Sequence, residues 1–114
     1  MVEQGKGKGI VPLQVTVAVP DEAAARRLAE GIVTERLAAA VQVVGPVWSV
    51  FWWQGERHRA DEWLCLAKTT AARFQRLAAY VREHHAYEVP EVIAVPVSDG
   101  NADYLAWLGE ETGA

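Results

Sequence analysis

Apolar and polar residues change period several times along this chain, and the changes mark out its elements. From Ile10 to Val19 the run IVPLQVTVAV alternates, with Leu13, Val15, Val17 and Val19 on one side and Gln14, Thr16 and Ala18 on the other. That is the period of a β-strand, and Pro20 ends it. Asp21 is placed to cap a helix whose first turn carries Glu22, and Ala25, Leu28 and Ile32 then recur at helical spacing through Arg36. A second strand runs from Leu37 to Val44, breaks at Gly45-Pro46 and resumes from Val47 to Trp53, which predicts a long strand with a kink or bulge. After a turn at Gln54-Gly55-Glu56, Ala60 to Thr69 reads as the return strand of a hairpin. In it Trp63, Cys65 and Ala67 alternate against Leu64, Leu66 and Lys68.

Thr70 is placed to cap a second helix, running to about His84, whose apolar face is Phe74, Leu77, Ala78 and Val81. Val92 to Val97 is a last strand, and its Pro96 belongs at an edge or a strand end because it has no N–H to donate. Asn101 opens a short terminal helix carrying Tyr104, Leu105, Trp107 and Leu108. The order βαββαβ plus a helix predicts an α+β fold. It is a ferredoxin-like sandwich with an extra C-terminal helix, its antiparallel sheet covered on one face by two helices and centred on the hairpin. Residues 1–9 hold three glycines and two lysines with little to bury and are expected to form a mobile tail. That leaves 10–114 as a single domain, for which 114 residues with 51% apolar content are ample.

The stretch Val47 to Trp53 breaks the usual sheet pattern. Val47, Phe51 and Trp53 fall on one face and Trp48, Val50 and Trp52 on the other, so both faces are apolar. Each buried aromatic removes roughly 150 to 250 Å² from water, which at about 25 cal/mol per Å² is several kcal/mol. A sheet with helices on one side only has no intrachain cover for the second set, which predicts a closed cyclic oligomer. The hairpin is also long relative to the first and last strands and leaves edge to donate. The alternative is that the terminal helix with Trp107 folds over the bare face.

Composition narrows the function. A net charge of −4 argues against nucleic-acid and anionic-membrane binding, both of which need a basic face. No apolar run is long enough to span a bilayer, and the single Cys65, flanked as in a buried strand, fits a reducing compartment, the cytoplasm.

Candidate chemistry concentrates in His84-His85-Ala86-Tyr87-Glu88-Val89-Pro90-Glu91, at the junction of a helical and a strand period. His84 and His85 are candidate metal ligands, although adjacent helical side chains diverge by about 100° and a divalent ion would need Glu88, Glu91 or a neighbouring subunit as well. The alternative makes His85 a packed imidazole at the helix end. Lys68, Tyr87 and Glu91 form a second constellation, read either as a small-ligand cleft or as a buried Lys68–Glu91 ion pair at a subunit interface, capped by the phenol and holding the oligomer in register. Ser49 and Ser98 lack a nearby His–acid pattern and Gly5-Lys6-Gly7-Lys8-Gly9 does not lie between strand and helix, so the chain is expected not to be an enzyme.

Several landmarks resemble the CutA family of divalent-cation tolerance proteins. They are Pro20-Asp21-Glu22, Glu35-Arg36-Leu37-Ala38-Ala39, Ser49 with Trp52-Trp53-Gln54-Gly55, Lys68-Thr69, His85 to Glu91, and Tyr104-Leu105-Ala106-Trp107. The resemblance implies a tight homotrimer similar in architecture to the PII signalling proteins, with Trp53, Lys68, Tyr87 and Glu91 near a cleft between subunits. It also implies a role in tolerance of copper or other divalent ions, with a metal ion or small ligand as the bound partner. A non-catalytic scaffold or signalling module with purely structural clefts is the alternative. The chain departs from the family where some members carry cysteine: it has Val17 late in the first strand and Ala40 after the first helix, which removes the soft thiolates that copper prefers.

Overall fold

The computed structural model describes residues 10–113. The predicted tail, residues 1–9, lies outside them. The elements are β1 (Pro12–Val19), α1 (Glu22–Thr34), β2 (Ala40–Trp53), β3 (Glu56–Thr70), α2 (Ala71–His84), β4 (Val92–Pro96) and α3 (Ala102–Thr112). All pairings are antiparallel, in the order β2-β3-β1-β4. The result is a mixed α+β fold.

The alternation of β1 settles which face is inward. Val15, Val17 and Val19 are buried and lie opposite Ala67, Cys65 and Trp63 of β3, so these side chains share one face. Ala25, Leu28, Ala29 and Ile32 of α1 with Leu77 and Val81 of α2 join them in the main core. Asp21 caps α1 as expected, its carboxylate accepting from the Ala24 N–H at 2.8 Å. Cys65 is fully buried, its thiol donating to the Ala25 carbonyl at 3.4 Å, and burial pushes its pKa up to about 11. A thiol so placed is a packing group and a poor nucleophile.

Three expectations need correction. Thr70 stands at the N-cap of α2 but makes no side-chain cap; its hydroxyl is buried and has no partner among the described residues. The second strand starts at Ala40, because α1 ends at Thr34 and Arg36 takes a positive φ of 57° that turns the chain. The hairpin does not centre the sheet: β1 lies between β3 and β4, and β2 is an edge.

That last correction matters most for the site. Gln54 and Gly55, with φ of 50° and 81°, make a two-residue turn, so Glu56 pairs directly with Trp53 and the strands are longer than the polar run Glu56–Arg59 suggests. β1 pairs with β3 only between Trp63 and Thr70. The outer hairpin, from Val47 to Glu62, is therefore a two-stranded projection, and the molecule is drawn out to 50 × 25 × 22 Å. Trp48 and Trp52 are 68% and 73% exposed on it. The terminal helix does not cover them: α3 packs on β3 and β1 through Leu108, held at its C-terminal end by Arg73 Nε donating to the Thr112 carbonyl and Arg36 donating to Glu111. Trp107 itself stays 38% exposed.

The register shift lies between Val44 and Val47, at the predicted interruption. Gly45 is needed there because the Trp63 ring lies across it, and a Cβ would stand 2.4 Å from a ring carbon. Gly45→Ala is expected to lower stability by roughly 1–3 kcal/mol, the cost of overpacking, checked by urea unfolding; an unchanged midpoint would contradict this contact.

Candidate functional site

The projection and the segment after α2 line a half-open recess of about 800 Å³. Register explains which side chains line it. Ser49, Phe51 and Trp53 of β2 lie opposite Ala60, His58 and Glu56 of β3, and this set shares the face of Glu62, away from the core. Phe51 and His58 stack with ring centroids 5.7 Å apart. Arg59 and Val50 border the recess, and Ala86, Tyr87, Glu88, Val89 and Glu91 close its other side.

Tyr87 anchors that closing segment. Its hydroxyl donates to Glu62 Oε2 at 2.9 Å, and Glu62 is only 8% exposed. Burial, the hydrogen bond to Glu62 and the negative charges of Glu62 and Asp21 together push the phenol's pKa from 10.0 up to about 12. His85 fixes the segment from beneath. Its Nε2 lies 2.6 Å from the Ala18 carbonyl and its Nδ1 accepts the Tyr87 backbone N–H at 3.0 Å, a combination only the neutral Nε2–H tautomer can make.

The two histidines are not arranged alike. His84 is exposed, stacks on Tyr80 with centroids 4.0 Å apart, and places Nδ1 2.8 Å from the Tyr80 carbonyl, which leaves its Nε2 lone pair free. His85 has both ring nitrogens engaged. Within one chain this donor set does not fit a divalent ion, and among the described residues no three His, Cys, Asp or Glu side chains gather where they could hold one. Val17, where a thiolate is absent, is fully buried in the core.

Of the predicted cleft residues, Trp53, Tyr87 and Glu91 line the recess and Lys68 does not. Lys68 donates instead to Gln42 Oε1 at 2.8 Å, and partial burial lowers its pKa. The physical reason is helix length: Lys68 precedes the 14-residue α2 and Tyr87 follows it, so the helix holds them roughly 20 Å apart at 1.5 Å per residue. The expected Lys68–Glu91 pair is one between subunits; within one chain the partner of Tyr87 is Glu62. Sequence reading missed Glu62, His58 and Ser49; the signal for Glu62 was a carboxylate on the strand face it shares with the apolar Leu64 and Leu66, opposite the core face of Trp63 and Cys65. Ser49 and His58 share the recess, but among the described residues no hydrogen bond joins them and the Glu62 carboxylate is taken by Tyr87.

Comparison with known proteins places this geometry in a family. Residues 13–111 match the model of the CutA1 divalent ion tolerance protein. The chain belongs to the CutA family. The divalent-cation tolerance protein CutA of Thermus thermophilus is 46% identical over 99 residues, which is 87% of this chain and 96% of that protein. Its solved structure superposes with a TM-score of 0.87, covering 90% of this chain and 99% of the other. The chloroplastic CutA 1 of Oryza sativa is 43% identical over 86% of this chain, and the chain spans 55% of that protein's length. The solved rice structure gives a TM-score of 0.87 at 40% identity, covering 90% of this chain and 94% of that one. Among the described residues no helix is long and apolar enough to cross a membrane.

The Tyr87 shift has a measurable sign. A phenol whose pKa is raised on folding stabilises the native state fully below pH 10, and this contribution is lost as pH rises from 10 through about 12. Ultraviolet titration of tyrosinate should therefore show a late component near pH 12 that Tyr87→Phe removes; a wild-type titration complete well before that pH would contradict the Glu62 bond.

Proposed function

We propose that three copies of this chain assemble as a non-enzymatic ring of PII-like architecture, and that its subunit clefts bind a small ligand as the chain's part in divalent-cation tolerance. One observation carries the reading: the aromatic, two-stranded projection that a protomer leaves uncovered is also the wall of the recess. Mutual cover of the projections in a trimer turns that recess into a cleft between subunits. The strand order β2-β3-β1-β4, with both βαβ helices packed into one core, supports the ferredoxin-like description of a single domain over 10–114. The free, buried Cys65 supports a reducing compartment such as the cytoplasm. The separation of Ser49, His58 and Glu62 into unlinked groups supports binding rather than turnover.

A second reading, direct binding of copper or another divalent ion, is favoured by one observation only, the free Nε2 of His84. Ligands from another copy would have to complete that site.

Two measurements separate these readings. Native mass spectrometry of protein purified without chelator is expected to show a three-protomer ion carrying a small molecule that Tyr87→Ala loses. Calorimetry with copper(II), zinc(II) and cobalt(II) is expected to show no saturable heat that depends on the histidines. Saturable heat abolished by His84→Ala with His85→Ala would establish the metal reading instead. Trimers that hold neither ligand would contradict both and leave a scaffold.

A further inference from the structure

The recess beside Tyr87 has a charge and a surface that select one class of ligand. Glu62 is more than nine-tenths buried, and the Tyr87 hydroxyl donates to one of its carboxylate oxygens, Oε2. The side chain lines the recess, and among the described residues its other oxygen, Oε1, has no protein donor and stays open to solvent there. A carboxylate oxygen that opens into a partly enclosed recess accepts from a donor that enters, and most strongly from a charged one. Glu88 and Glu91 add two more carboxylates to the lining against the single guanidinium of Arg59, so the recess is anionic. The rings of Phe51, Trp53 and Tyr87 also line it, and aromatic rings attract cations.

A metal ion is poorly served by these groups, because it needs several ligands converging on one point and the described residues gather no such set. An ammonium group needs much less: one carboxylate oxygen for an N–H and aromatic faces for its charge and its methylene carbons. We propose that the recess binds a small organic primary amine in its ammonium form, with an N–H donating to Glu62 Oε1 and the alkyl body lying against Phe51 and Trp53. The inference rests on the cleft reading above and names the ligand class of that cleft. Tyr87 holds the Glu62 carboxylate in place, and His85 holds Tyr87.

The test uses the whole 114-residue chain titrated with n-butylammonium chloride, followed by calorimetry and tryptophan fluorescence. n-Butanol, which lacks the charge, and tetramethylammonium chloride, which lacks the N–H, serve as comparison probes, and the same samples are sedimented. Saturable binding of butylammonium is expected, with each comparison probe weaker by about tenfold or more, the scale of a charged hydrogen bond, and a similar loss in Glu62→Gln. The proposal is overturned if a sample that sediments as a trimer shows no saturation with butylammonium, if either comparison probe binds equally well, or if a folded Glu62→Gln keeps full affinity. Should Glu62→Gln fail to fold, the three-probe comparison on wild-type protein decides the matter. A monomer that still selects butylammonium would overturn the trimer while upholding the ammonium site.

Discussion

The outer half of the β2–β3 hairpin carries apolar side chains on both faces and, among the described residues, has no third strand beside it. Everything distinctive about this protein follows from that constraint. An isolated two-stranded ribbon is marginal in water, and this one exposes Trp48, Val50, Phe51, Trp52 and Trp53 along the long axis of a 50 Å molecule. The inner half of the same hairpin is ordinary: it borders β1, lies over the α1–α2 core, and buries Cys65 and Ala67 completely. Folding of the protomer is thus supplied at one end of the hairpin, and a demand for a partner is created at the other.

The candidate site lies where these two halves meet. Glu62 is the last residue of β3 before the strand passes under β1, so its backbone is held by the body while its side chain faces the recess. Tyr87 reaches it from the segment after α2, which His85 ties to the end of β1 through the Ala18 carbonyl. The chain of contacts Ala18–His85–Tyr87–Glu62 uses both ring nitrogens of one histidine for structure. It explains how a family landmark can be an internal brace in this protein.

Much of the fold was legible in the sequence because it depends on local period. The alternation of Leu13 to Val19, the Asp21 cap, the interruption at Gly45-Pro46 and the end-of-strand Pro96 each follow from chemistry within a few residues, and each is where the pattern put it. The hairpin's extra length escaped because Glu56 to Arg59 are polar and turn-like alone; only pairing with Trp53 to Val50 holds them extended. The site was half legible. Trp53, Tyr87 and Glu91 come together, whereas Lys68 does not, since proximity to the two ends of one helix implies separation rather than contact. Glu62 escaped because its partner stands 25 residues away and is reached only through the tertiary fold.

The central claim is that copies of this chain shield one another's tryptophan-bearing hairpins, and that the binding cleft exists because they do. Sedimentation equilibrium of the wild-type protein at micromolar concentration addresses it most directly. A single species of three times the 12.5 kDa protomer mass is the predicted result. A well-folded species of 12.5 kDa, unchanged with concentration, would contradict the account.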